Sequence, residues 1–208
     1  MIEVFIKGVG VGVAVAAPVG PIGLLCIKRT LADGKASGMA SGLGAASADA
    51  VYGFMVAAGL AATGILVSYA EPMELFGGLL IAILGALSIR AFLKGAGIEA
   101  KPANARGPRG LVPAFATTFA LTISNPMTIL AFVALVAGIG ASTSASPGAA
   151  YMLVLGVFAG SALWWMFLVT AASKASTRIT PSATRWLDLI SGLVLLIWGG
   201  WIAWGALS

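Results

Sequence analysis

Apolar side chains fill this chain in long unbroken stretches. They show neither the two-residue alternation of a half-buried strand nor the single stripe of a surface helix. Six stretches, near residues 4–27, 37–62, 75–93, 112–138, 150–172 and 187–207, are long enough to cross the membrane. Crossing about 30 Å of hydrocarbon takes a helix of roughly 20 residues. Polar and charged residues gather in the intervals between the stretches. A spanning segment in lipid has to satisfy its own backbone hydrogen bonds, so stretches of this kind predict helices. The expected fold is all-α and integral to the membrane, with six transmembrane helices in a single domain over residues 1–208. "AVAAP" at residues 14–18 resembles a small-residue cleavage site. However, "MIEVFIK" carries Glu3 as well as Lys7, and the apolar stretch runs on to Ile27. It is therefore read as a first span rather than a cleaved leader.

The first and fourth stretches are interrupted from within. "AAPVGPIG" at residues 16–23 places Pro18, Gly20 and Pro21 in the middle of the first, and "ISNPMT" at 123–128 places Pro126 in the fourth. A proline has no N–H to donate and clashes with the carbonyl four residues back. Helices 1 and 4 are therefore expected to be broken at proline. The two breaks also align in an internal repeat. "GPIGLL" at 20–25 matches "NPMTIL" at 125–130, "GAASADAVY" at 44–52 matches "GVFAGSALW" at 156–164, and "GLLIAILGA" at 78–86 matches "GLVLLIWGG" at 192–200. The matches keep their order and set Asp49 opposite Ser161. With three spans in each half, the halves are inverted repeats: about 1–95 and about 112–208, joined by a linker over about 96–111.

Charge sets the direction of the spans. Lys28, Arg29 and Lys35 follow the first span, Arg90, Lys94, Lys101, Arg106 and Arg109 follow the third, and Lys174, Arg178 and Arg185 follow the fifth. Eleven of the twelve basic residues thus fall on one side, which is cytoplasmic by the positive-inside rule, leaving both termini outside. "KRTLADGK" at 28–35 is expected to be a basic loop. Composition agrees with a lipid environment: 60% of residues are hydrophobic, 9% are charged and the mean hydropathy is +1.03. The net charge of +5 is distributed as a topology signal, without the aromatic-interleaved patch of a nucleic-acid surface. Gly34, Gly38 and Gly42 form a small-residue stripe suited to close helix packing within the bundle, with homo-oligomer formation as its second use. Trp186, Trp201 and Trp204, near span ends, are expected as interface anchors.

The sequence contains no histidine, and Cys26 is its single thiol. A thiol relay needs two cysteines, and intramembrane proteolysis needs a second carboxylate or a serine with its base. The chain is therefore read as a non-enzyme without cofactors or a resident metal. Asp49 is the one carboxylate well inside a span, where insertion costs at least about 2.5–3.5 kcal/mol. Such a residue is read as functional, either pairing with a substrate ammonium or carrying a proton. The breaks should line a wet cavity, because freed backbone groups cost several kcal/mol in hydrocarbon unless something satisfies them. Matching breaks in inverted repeats are the sequence pointer to a transporter's substrate site. The candidate residues are Pro18, Gly20, Pro21, Ile22 and Gly23 from the first break, Ser124, Asn125, Pro126 and Thr128 from the second, and Ser47, Asp49, Ser161 and Trp164 beside them. N–H groups of the resuming helices would hold a carboxylate, and Trp164 with Trp165 would wall an ammonium or an apolar side chain. The runner-up is a metal-ion or other small-ion transporter, since one carboxylate with carbonyls and hydroxyls suits a hard cation.

Three motifs make the chain resemble the lysine exporter family of bacterial translocators, the LysE/RhtB group of amino-acid efflux proteins. "APVGPIGLLCIKRTLADGKASGMASGLG" is similar to its Pro-Gly-Pro motif, basic loop and Gly-rich second span; Asp49 matches its acidic residue; "ISNPMTILAFVAL" is similar to its Asn-Pro motif. Here Pro-Gly-Pro is spaced as Pro18, Gly20 and Pro21, and Met127 stands where a basic residue often follows Asn-Pro. The resemblance implies export of amino acids or related small metabolites across the bacterial inner membrane, driven by the proton-motive force.

Overall fold

The structure is a computed structural model that describes residues 1–18, 20–58, 69–93, 110–125, 128–129, 131–132, 147–176 and 181–207. Among the described residues the fold is all-helical, with seven α-helices: α1 (Ile2–Ala16), α2 (Pro21–Asp33), α3 (Lys35–Ala57), α4 (Ala70–Leu93), α5 (Leu111–Ile123), α6 (Pro147–Ser176) and α7 (Pro181–Gly205).

The proline-glycine segment splits the first apolar stretch into α1 and α2, whose axes diverge by 83°. Pro21 opens α2 at the first helical position, where a missing N–H costs nothing, and Gly20 precedes it in an extended conformation. The expected basic loop after this span is not a loop. "KRTLADGK" stays helical to Asp33, and α2 joins α3 through the single residue Gly34. Gly34 has a φ of 91°, a left-handed value that favours glycine. Helix persists through Lys28 and Arg29 because other helices supply partners for both cations.

α4, α6 and α7 contain segments long and apolar enough to cross a membrane: Glu71–Leu93, Gly148–Ala175 and Asp188–Gly205. The bent pair α1–α2 also qualifies when taken as one span. α3 is less hydrophobic and rich in Gly, Ala and Ser. It packs between α2, α5 and α6, so protein rather than lipid solvates much of it. Ala45, Ala46 and Ala48 are fully buried there. In lipid, helices gain little from excluding water and associate mainly through close packing, which small residues permit.

Four helix pairs carry most of the packing: α4 along α7, α1 along α6, and α3 against each of α5 and α6. Glycines set how closely the axes approach. In the α4–α7 contact Gly78 lies on Gly199 and Gly85 on Gly192, so tightly that a Cβ at any of the four would meet the other helix. In the stripe noted above, Gly38 meets Thr30 and Val169 and Gly42 meets Trp165, both within the chain. Leu79, Ile83, Leu155, Leu163, Phe167, Ile197, Trp186, Trp201 and Trp204 project outward from these pairs, the apolar surface a lipid-facing bundle requires.

Candidate functional site

Asp49 projects from α3 into the centre of the bundle and is 2% exposed. Its partner is Ser161 of α6, fully buried, whose Oγ donates a 2.6 Å hydrogen bond to Asp49 Oδ2. One helical turn further on, Trp165 Nε1–H donates to Ser161 Oγ at 3.1 Å. The chain Trp165, Ser161, Asp49 is directional and mutually polarising. A carboxylate offers about four acceptor positions, so one serine leaves acceptor capacity for a proton or a solute.

Asp49 borders a cavity of about 50 Å³ whose walls include Pro18, Gly20, Pro21, Gly23, Thr122, Asn125, Thr128 and Trp165. A larger space of about 270 Å³ adjoins it, sharing Val15, Pro18, Gly20, Pro21, Ile22, Asn125 and Thr128 and extending to Ile81, Ala131, Trp198 and Ile202. The two interruptions thus meet at one place beside the one central acid. On the α2 side, Leu24 N–H bonds the Gly20 carbonyl at 3.0 Å, and Gly20 provides no side-chain cap for the first-turn N–H groups. Such groups have no acceptor within their own helix. On the other side α5 ends at Ile123, and the Asn125 carbonyl accepts from Thr128 N–H at 3.0 Å and Ile129 N–H at 3.2 Å as helix resumes.

Of the residues singled out from sequence, Pro18, Gly20, Pro21, Ile22, Gly23, Asp49, Asn125 and Thr128 line these spaces, and Ser161 touches them through Asp49. Pro126 lies outside the described residues. Ser47 does not line them; its Oγ donates back to the Leu43 carbonyl at 2.8 Å. Ser124 is buried against Gly77 of α4. Trp164 turns away to pack on Phe167, with ring centroids 5.6 Å apart, and its neighbour Trp165 forms the wall instead.

Two further residues belong to the site and were not apparent from the pattern of the chain. Thr122 is 3% exposed, lines the small cavity, and its Oγ1 has no hydrogen-bond partner among the described residues. Tyr52, one turn beyond Asp49, donates its hydroxyl to the Ile123 carbonyl and stacks on Phe132 at 5.4 Å. It thereby satisfies an acceptor that the end of α5 leaves open. Nothing in the apolar pattern marks a tyrosine as a cap for a helix 71 residues away.

A second polar cluster lies along α2. Lys28 Nζ is 2.9 Å from Asp188 Oδ1 of α7 and donates to Ser88 Oγ of α4 at 2.5 Å. Arg29 Nη1 donates to Ser41 Oγ of α3 at 3.0 Å, and to Thr118 Oγ1 and the Ala114 carbonyl of α5 at 2.9 Å each. Adjacent cations therefore tie α2 to helices on its opposite sides. Asp188 is a second buried acid, but it is paired with a cation, whereas Asp49 is held by a neutral serine.

The sequence profile described as LysE type translocator matches residues 13–204, which include both breaks, Asp49, Ser161 and the Lys28–Asp188 pair. A Bacillus subtilis (strain 168) protein named "Putative amino acid efflux protein YcgF" is 24% identical over 199 residues, covering 95% of this chain and 93% of the relative. No solved structure matches the chain. A profile match that starts before the first break and ends within the last helix takes in the whole site, and the chain belongs to the LysE type translocator family.

Proposed function

We propose that this translocator is a secondary active exporter of amino acids or related small metabolites, driven by the proton-motive force across a bacterial inner membrane. The observation that carries the proposal is the convergence of both helix interruptions and Asp49 on one cavity. A zwitterion meets complementary groups there. Its carboxylate faces the first-turn N–H groups of α2, where the helix dipole favours negative charge, and its ammonium faces Asp49. Asp49 alternatively carries the coupling proton, released when a charged substrate arrives. The efflux role named for the Bacillus relative supports amino-acid cargo.

Alternating access follows from six spans arranged as two inverted repeats, with both termini outside. Three sets of contacts support the inverted-repeat relation. Residues that are equivalents in two repeats touch each other only near the axis relating them, and Asp49 touches Ser161. The repeat alignment pairs Gly78 with Gly192 and Gly85 with Gly199. Exchanging equivalents turns the Gly78–Gly199 contact into the Gly192–Gly85 contact, and both occur. The same exchange turns the α1–α6 packing into the α5–α3 packing, and these too occur together. Each helix pair in this set spans both halves, so rocking one repeat against the other would open the cavity to alternate sides.

Efflux from proteoliposomes under an imposed proton gradient tests the reading. Asp49→Asn is expected to lower gradient-driven amino-acid flux at least about a hundredfold while the protein remains folded. Undiminished flux would remove Asp49 from the mechanism. Flux of a divalent cation with none of any amino acid would favour the ion-transport alternative.

A further inference from the structure

We infer that the site selects a neutral amino acid with an aliphatic side chain and rejects a dibasic one, an inference that rests on the amino-acid reading above. The two spaces differ in character. The smaller holds the polar groups: Asp49, the N-terminal turn of α2, and the Thr122 hydroxyl, which is buried without a partner. A buried hydroxyl without a partner is destabilising and is accounted for when a ligand's polar head completes it. The larger space is walled by Val15, Ile81, Ala131, Trp198 and Ile202, with Asn125 and Thr128 at the shared boundary. A polar head beside Asp49 therefore directs the side chain of its substrate into an apolar chamber.

The decisive feature is the count of carboxylates. The whole chain has seven acidic residues: Glu3, Asp33, Asp49, Glu71, Glu74, Glu99 and Asp188. Asp188 is engaged by Lys28, and Glu3 pairs with Lys7. Residues 126–127, 130 and 133–146, which complete the chain around Asn125, contain no ionisable side chain. One carboxylate serves one ammonium. A lysine bound by its α-ammonium would carry its second charge into the apolar chamber, where no carboxylate is among the described residues that line it, and such burial is heavily penalised. Size agrees. A chamber of about 270 Å³ has space for a branched or linear aliphatic side chain.

Thermal shift of the purified full-length protein with three probes tests this: leucine, 2-aminoheptanoate and lysine at equal concentration. In 2-aminoheptanoate a methyl group replaces the terminal ammonium of lysine at the same chain length. Leucine and 2-aminoheptanoate are expected to raise Tm and lysine to leave it unchanged, with apparent affinities at least about a hundredfold apart, the size of discrimination that mispaired polar groups impose. Asp49→Asn is expected to abolish the leucine shift. Ala131→Asp, which places a carboxylate on the chamber wall, is expected to confer a lysine response. If lysine stabilises the wild-type protein as well as 2-aminoheptanoate does, the selectivity inference is wrong while the amino-acid reading stands. If none of the three shifts Tm and none is exported from proteoliposomes, both fall together. The comparison of probes on wild-type protein holds even if a variant fails to fold.

Discussion

Breaking the Lys28–Asp188 pair is expected to be far more damaging than removing it whole. The Asp188 side chain is 5% exposed and that of Lys28 19%, with 2.9 Å between charged atoms. At this burial neither ion recovers its hydration if left alone. Asp188→Leu leaves the ammonium with Ser88, at 2.5 Å, as its remaining partner among the described residues, and Lys28→Met strands the carboxylate. Each single change is expected to cost about 3–5 kcal/mol, the range for an uncompensated buried charge. The double variant buries two apolar side chains of similar size and is expected to be within about 1 kcal/mol of wild type, or more stable. Additivity would instead predict a loss of about 6–10 kcal/mol, so the coupling energy is unmistakable. Reversible unfolding in mixed detergent micelles, followed by fluorescence of the six tryptophans, measures all four proteins. Single variants losing less than about 1 kcal/mol would mean that the pair behaves like one in open solvent. The argument from burial would then be refuted.

Two further substitutions probe the packing and the cavity. In Gly78→Ala the new Cβ would stand 2.6 Å from the Ala203 nitrogen and 2.9 Å from the Gly199 oxygen, backbone atoms that cannot rotate aside. A loss of at least about 1–3 kcal/mol is expected in the same unfolding assay, and Gly200→Ala, whose Cβ would meet open space, is expected to change little. Thr122→Val exchanges an unpartnered buried hydroxyl for a methyl of the same shape. The protein is expected to gain about 1 kcal/mol while its efflux rate falls, whereas a loss of stability would mean the hydroxyl is already satisfied.

How the site was divided between what could be read and what could not follows from the range of the forces involved. Pro18, Gly20 and Pro21 announce a break wherever they stand in a helix, because the missing N–H and the ring clash act within four residues. Asp49 stands out because a carboxylate inside an apolar stretch is costly at any position in the bundle. The repeat alignment set Asp49 opposite Ser161 as equivalents, but that the two touch, across 112 residues of sequence, came only from the structure. Trp165 and Trp164 show the limit. Adjacent residues on a helix point about 100° apart, so which one faces the cavity depends on the rotation of α6 against α3. Apolar patterning is silent on that rotation for a helix that is hydrophobic on all sides.

Lys28 and Arg29 mark the same boundary from the other direction. As charges flanking an apolar stretch they predicted a loop, since water is the usual way to satisfy a cation. In the folded protein Asp188, Ser88, Ser41, Thr118 and the Ala114 carbonyl take that role, and the helix continues past both residues to Asp33. The order of residues was enough to make the described chain helical, to break its first apolar stretch at Pro18–Pro21 and to set Asp49 inside the second, because solvent preference and backbone hydrogen bonding are settled within a few residues. Tertiary structure alone decided which polar groups would meet, from Lys28 with Asp188 to Tyr52 with Ile123 and the open Thr122 hydroxyl beside Asp49. Those pairings depend on helix rotation and close approach at glycine contacts, which arise only when every helix has found its neighbours.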